Sequence, residues 1–399
     1  MPALTACALF VALGSASGGG AASLQSFQAA EPDPTALPLL GEQRVHFYVQ
    51  EAYEGFSPQI TDAVADRYAE LVDAGMDCSR HLLDWADLEP SPGVYDLAGV
   101  IEALDHRIDQ GAPRQFVNIT VIDTGGPEAL PQYVQDLLAQ GARWDDPRIT
   151  GPFGAMLEAI VPAMVDRGVY MLGFANEASG YYEDEPAAAA SFAGFVQAAI
   201  DRTRTIEPAL STTVVFAGTS DASIPALMPL IDVATFNWYA YEQEVEPSCR
   251  FFGEALPLWR ATGPDGIPDV LDEMMRVSGD RFVCIQEIGQ ATGWTDRPTT
   301  LGPLAGEALQ AQVIEAMAEA VIERRHRFRT VSLWTLNDHT PAGMQYVVDA
   351  ILAEGLPTCY AENVGEIFGP TGIVESTPEA RRKPAFESMR RAIAEVSTK

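Results

Sequence analysis

The sequence predicts an α/β fold, a single (β/α)8 TIM barrel. Three observations carry that reading. Eight short apolar runs recur along the chain, segments with helical spacing separate most of them, and no break in composition interrupts the pattern from Arg44 onward. The runs cover residues 45–50, 76–83, 115–122, 169–175, 213–217, 233–238, 282–286 and 330–335. Helical periodicity appears over 60–74, 97–110, 153–167, 187–204 and 307–325. An open doubly wound sheet shows the same alternation, but no GxGxxG follows the first run. No repeat with a period of 20–50 residues is visible, which excludes a solenoid.

The barrel is expected over residues 44–399. Residues 6–13 are apolar and small residues follow them, the outline of a leader over 1–23, although the first basic residue is Arg44. Leu4-Thr5-Ala6-Cys7 resembles a lipoprotein box whose apolar run follows the cysteine instead of preceding it. Residues 24–43, with Pro32, Pro34 and Pro38, read as a tether. A secreted or periplasmic protein is expected, with a lipid anchor as the alternative. The apolar run is far short of the ~20 residues that a membrane span needs.

Composition narrows the function classes. Hydrophobic residues make up 47% of the chain, enough for a sizeable core. The net charge of −31 repels phosphate backbones and anionic membranes, so no nucleic-acid partner is expected. The only lysines are Lys383 and Lys399, neither at a strand end, which argues against Schiff-base chemistry. The five histidines, His46, His81, His106, His326 and His339, are scattered, and the five cysteines form no CxxC pair. No metal and no cofactor are therefore expected. Cys78 and Cys284 fall in apolar runs and read as core. Cys249 and Cys359 lie in loop-like stretches and are expected to pair if the protein is exported.

In a barrel of this kind chemistry sits at the C-terminal ends of the strands. The second strand delivers Ser79-Arg80-His81 and then Asp84-Trp85, and the fourth delivers Asn176-Glu177. The sixth delivers Asn237-Trp238-Tyr239-Ala240-Tyr241, the seventh Gln286-Glu287, and the eighth Trp334 through Asp338. Glu177 and Glu287 lie 110 residues apart, three βα units, and face each other across the mouth. Retaining glycoside hydrolysis needs such a pair: one carboxyl protonated to serve the leaving oxygen, the other ionised to attack the anomeric carbon. Taken alone, either glutamate reads equally as a solvated loop residue. Trp85, Trp238, Trp259, Trp294 and Trp334 fall at or after strand ends, where flat rings could stack on sugar C–H groups or simply pack loops. His46 and His81 read as pocket or core residues, and Asp123 as a sugar contact or a turn former. Asn118-Ile119-Thr120 matches a glycosylation sequon inside an apparent buried strand and is set aside.

These residues carry a resemblance to a known family. Phe174-Ala175-Asn176-Glu177 and Ile285-Gln286-Glu287-Ile288-Gly289 resemble the strand-4 and strand-7 segments of the large clan of retaining (β/α)8 glycoside hydrolases that includes family 5 cellulases and mannanases. Arg80, the stretch Trp85…Leu88-Glu89-Pro90-Ser91-Pro92-Gly93-Val94-Tyr95, Trp334, Phe368-Gly369…Gly372-Ile373 and Lys383-Pro384-Ala385-Phe386 are further matches, so the likeness spans about Arg44 to the C-terminus. It implies Glu177 as acid/base and Glu287 as nucleophile. It also implies Asn176 on the sugar 2-hydroxyl, Arg80 beside Glu287 keeping it ionised, and Tyr239 or Tyr241 hydrogen-bonding Glu287. Trp334 would be the floor beneath the sugar or a rim packing residue. Trp85, Trp238, Trp294, His81 and Asp338 complete the expected substrate contacts. The expected protein is a monomeric enzyme cleaving a β-linked neutral oligo- or polysaccharide, with internal cleavage slightly favoured by analogy to lone-barrel relatives. A carbohydrate-binding barrel without catalysis is the alternative.

Overall fold

The computed structural model describes residues 44–51, 57–123, 130–239, 263–293, 306–353 and 358–397. Eight strands form one sheet: β1 His46–Gln50, β2 Cys78–Asp84, β3 Arg114–Thr120, β4 Val169–Asn176, β5 Ser211–Phe216, β6 Val233–Tyr239, β7 Phe282–Gly289 and β8 Phe328–Trp334. Every paired neighbour is parallel, in the order β1-β8-β7-β6-β5-β4-β3-β2. With helices between the strands this is the expected (β/α)8 barrel. No helix among the described residues is long and apolar enough to cross a membrane.

The ladder leaves one seam, between β1 and β2, and side chains stitch it. Near its upper end Arg80 Nη1 donates to Gln50 Oε1 at 2.7 Å. At its lower end His46 Nδ1 and Asp77 Oδ1 lie 2.8 Å apart. Arg114 stands 3.2 Å from the other ring nitrogen of His46, so this histidine belongs to a structural ion cluster.

Strand alternation sorts side chains into an inner and an outer set. On β2 and β3 the register Arg80↔Phe116 places Arg80, Leu82, Phe116 and Asn118 on the inner face, and His81, Gln115 and Val117 on the outer. Gly173 on β4 is needed because a Cβ there would stand 2.5 Å from Asn118 Oδ1. Asn118 is fully buried and donates to Ala175 O, so the sequon points into the barrel.

Outside the barrel, the helices Pro147–Val165 and Pro186–Ile206 cover β4 and its neighbours with aromatic rings. Trp85 packs edge-on against Phe153 at 4.7 Å between centroids, and Phe195 lies tilted against it at 6.2 Å. The Trp85 indole N–H donates to Glu89 Oε2 at 2.8 Å, while Glu89 Oε1 accepts from Gly93 N at 2.8 Å. Tyr133 donates to the same carboxylate, so one buried glutamate pins the whole 85–93 segment to the barrel wall.

Trp85→Ala should therefore cost about 3–5 kcal/mol in urea unfolding, through a cavity and the loss of one of the three donors to Glu89. A loss under ~1 kcal/mol would show that the ring is not a core element.

Candidate active site

The inner ends of β2, β4, β6 and β7 converge on one polar cluster. Arg80 Nη1 donates to Glu287 Oε1 at 2.7 Å, an ion pair whose two residues are both buried. Glu177 stands next along the cluster, its Oε1 accepting from Asn237 Nδ2 at 2.8 Å. Asn237 also donates to Asn176 Oδ1 at 3.3 Å, and Asn176 donates to Asp123 Oδ1 at 2.8 Å. Gln286 Nε2 donates to Asn176 Oδ1 at 2.9 Å and to Asn237 Oδ1 at 3.3 Å. Gln50 closes the far side, donating to Gln286 O at 2.7 Å while accepting from Arg80.

Backbone irregularities make this crowding possible. Between Ile285 and Glu287 β7 spends two residues where β6 spends one, Phe236 to Asn237. A similar slip on β4 sets Gly173 to Asn176 against Thr213 to Val215 of β5. Such bulges re-aim side chains, so neighbours that would face opposite ways both reach the interior. Glu177 follows directly with φ 51°, the left-handed region that a residue with a side chain rarely adopts, and its N–H is held by Val215 O at 2.9 Å.

The electrostatics of the two glutamates differ. Glu287 has a cation in contact. Glu177 is raised well above the ordinary glutamate range, first by burial and then by the charge of Glu287, with Asp123 and Asp221 adding to it and the Asn237 bond opposing it. Asp221 itself is held by donors from Ala217 N, Ser223 N and the Ser223 hydroxyl.

Of the residues expected at the site, Arg80, Asn176, Glu177 and Glu287 come together. Trp334 ends β8 opposite Gln50 in the register, 8% exposed, with its ring tilted against His339. Tyr239 ends β6 opposite Gly289. Tyr241, Trp259, Trp294, Cys249 and residues 1–43 lie outside the described residues. Three of the expected residues turn away from the mouth, and a fourth is held in an ion pair. His81 sits on the outer face, bonded to Gln115 at 2.6 Å, and burial pushes it down to about 3, so it is a neutral structural residue. Trp85 is the core ring described above. Trp238, one step out of phase with Asn237, packs half-buried against the core. Asp338 is ion-paired to Lys383 at 2.7 Å, and that lysine also donates to Thr292. The sequence reading assigned no role to Gln50, Asn237 or Gln286. Their signal was faint: uncharged amides at strand ends, next to residues already singled out. Among the described residues one group, His46, Asp77 and Cys78, brings metal-ligand atoms together, but Arg44 and Arg114 already serve its carboxylate.

No protein-family model matches the chain, and no curated protein does either. Solved structures do. An exo-β-1,4-mannosidase from Opitutaceae bacterium strain TAV5 superposes with a TM-score of 0.58 at 16% identity, covering 89% of this chain and 60% of that one. GH5_18 from Bifidobacterium longum gives 0.59 at 12% identity, over 88% of this chain and 79% of that one. A GH2 β-galacturonidase from Eisenbergiella tayi gives 0.53 at 16%, over 88% and 51%. The chain thus spans between half and four fifths of these proteins, and at such identities the likeness is one of fold. The shared fold is the (β/α)8 barrel.

The raised Glu177 has a consequence for stability. The native state keeps its proton to higher pH than the unfolded chain, where glutamate titrates near ~4.3. Between those two values the folded form binds more protons, so stability falls as pH rises through the window. Glu177→Gln should then gain stability relative to the parent on going from pH 4 to pH 8, measured by urea unfolding. A stability difference that is the same at both pH values would mean that Glu177 titrates as it does in water.

Proposed function

We propose that the protein is a retaining glycoside hydrolase acting on a β-linked neutral oligo- or polysaccharide. One observation carries the reading: two glutamates share a barrel mouth, and only one of them has a cation against it. Retaining hydrolysis needs that asymmetry, because its two carboxyls start the reaction in opposite protonation states.

In the first step Glu177 gives its proton to the glycosidic oxygen while Glu287 attacks the anomeric carbon, and the C–O bond to the leaving sugar breaks. In the second step Glu177, now ionised, takes a proton from water as that water attacks the anomeric carbon and releases Glu287. Arg80 pairs with the attacking carboxylate and holds it in place. The second amide hydrogen of Asn176 is the donor for the sugar 2-hydroxyl, and Trp334 supplies an apolar floor. Tyr239 at the end of β6 is the candidate donor to Glu287. The acidic composition favours a neutral sugar over an anionic one, with internal cleavage the expected mode. The alternative, a binding barrel without catalysis, has no use for a raised acid beside an ion-paired carboxylate.

A panel of aryl glycosides and neutral polysaccharides, read by proton NMR for the first-formed anomer, tests the class; inverted product contradicts it. On an active substrate Glu287→Ala should lose ~100-fold or more, with azide restoring turnover and giving the inverted glycosyl azide. Glu177→Ala should lose on the order of 10²–10⁴-fold on a poor leaving group and far less in the first step on an activated one, because a good leaving group needs no proton. Azide should there give the retained product. The opposite pattern would exchange the two roles.

A further inference from the structure

Gln286 stands next to Glu287, yet its side chain turns to the other glutamate's strand. It is fully buried, and its Nε2 serves two acceptors, Asn176 Oδ1 at 2.9 Å and Asn237 Oδ1 at 3.3 Å. The orientation of all three amides follows from one charge. Asp123 is a carboxylate and takes a donor from Asn176 at 2.8 Å, so the Asn176 oxygen must face the opposite way. That oxygen meets Gln286 and Asn237, and each must present N–H to it. With its nitrogen so directed, Asn237 turns its oxygen to Gln286 and its remaining hydrogen to Glu177 Oε1 at 2.8 Å. Reversing Gln286 would bring three oxygens together. Its own Oε1 is buried without a hydrogen-bond partner, so the residue accepts a desolvation cost for the sake of its N–H side. Gln50 holds the Gln286 backbone carbonyl from below at 2.7 Å, which fixes the height of the side chain in the barrel.

We propose that Gln286 is a positioning residue for the acid/base: by locking the amides of Asn176 and Asn237 it makes Asn237 present N–H, not oxygen, to Glu177. This rests on the reading of Glu177 as the proton donor. An N–H on Glu177 favours its anion, the form that must accept a proton from water in the second step. An oxygen there would favour the acid and trap it. The charged groups facing Glu177 are Glu287 from β7, with Arg80 behind it, Asp123 after β3 and Asp221 after β5. Gln286 is thus the neutral lever by which the fold trims a carboxyl that its neighbours otherwise push toward the acid.

Gln286→Leu keeps the bulk and removes the donor. The basic limb of the kcat/KM profile should move to higher pH. With Glu177 slower to act as base, turnover limited by the second step should fall on the order of tenfold or more. The first step on a 2,4-dinitrophenyl glycoside should change by less than about threefold. A residue that only packs would lower both steps together and leave the limb in place, and that result overturns the proposal. Carboxyl ¹³C NMR of glutamate-labelled protein, with Glu177→Gln identifying the signal, follows the same titration without any substrate. An unmoved Glu177 titration in a folded Gln286→Leu variant overturns the proposal even if the protein hydrolyses no glycoside. A shifted titration without hydrolysis supports the positioning role and counts against the glycosidase reading instead.

Discussion

The contact between Arg80 and Glu287 sets the terms for everything at the barrel mouth. Removing an ion from water costs several kcal/mol unless a partner of opposite charge and further hydrogen bonds offset it. Among the described residues of the cluster there is one cation for Glu177, Glu287, Asp123 and Asp221. Asp123 and Asp221 are held by amide and hydroxyl donors. Glu287 takes the guanidinium. Glu177 is left with a single amide hydrogen, and holding its proton is the cheapest way to stay buried. The difference in environment between the two glutamates is thus a matter of where that arginine points.

That arrangement depends on backbone detail more than on the barrel as such. A regular strand shows every second residue to the interior, which would give one polar contact per strand end. The extra residues on β4 and β7 double that number, and the left-handed Glu177 turns the chain toward β5 and β6 at the point where its carboxyl is wanted. Gln50 and Arg80 meanwhile close the seam between β1 and β2, so the cation paired with Glu287 also joins the sheet's two free edges. A cluster this polar adds little net stability. The apolar stabilisation lies outside the barrel, where Trp85, Trp144, Phe153, Phe192 and Phe195 form a continuous block of rings.

Much of this was legible in the sequence, for reasons that also explain what was not. Strand runs bounded by turns mark all eight strands to within a few residues, because a parallel barrel buries both faces and leaves continuous apolar segments. Strand ends then name Arg80, Glu177 and Glu287. Phase is harder to read. His81 and Trp238 are each one residue from an inward-facing group, Arg80 and Asn237, and a shift of one reverses the face. Trp85 looks like a sugar platform by position, but it begins a short helix whose outer side meets the ring block. Asp338 could not be paired with Lys383 without knowing that the chain after 369 returns along the end of β8, where Val374 and Asn337 bridge. Gln50, Asn237 and Gln286 carry no charge, and no motif gives them a role. Their roles exist only in the register, and the bulges that create them leave no mark in composition.

The central claim is that Glu287, paired with Arg80, attacks carbon and forms a bond to the sugar. A panel of 2,4-dinitrophenyl 2-deoxy-2-fluoro-β-glycosides, followed by mass spectrometry of proteolytic fragments, tests it most directly. The fluorine slows both steps, and the activated leaving group lets the first one proceed, so the glycosyl-enzyme accumulates. The account predicts one sugar per chain, on the peptide containing Glu287, with labelling lost in Arg80→Met and in Glu287→Ala. A label on Glu177 or on any other residue, or hydrolysis of the parent glycoside with inverted product and no label at all, would contradict it.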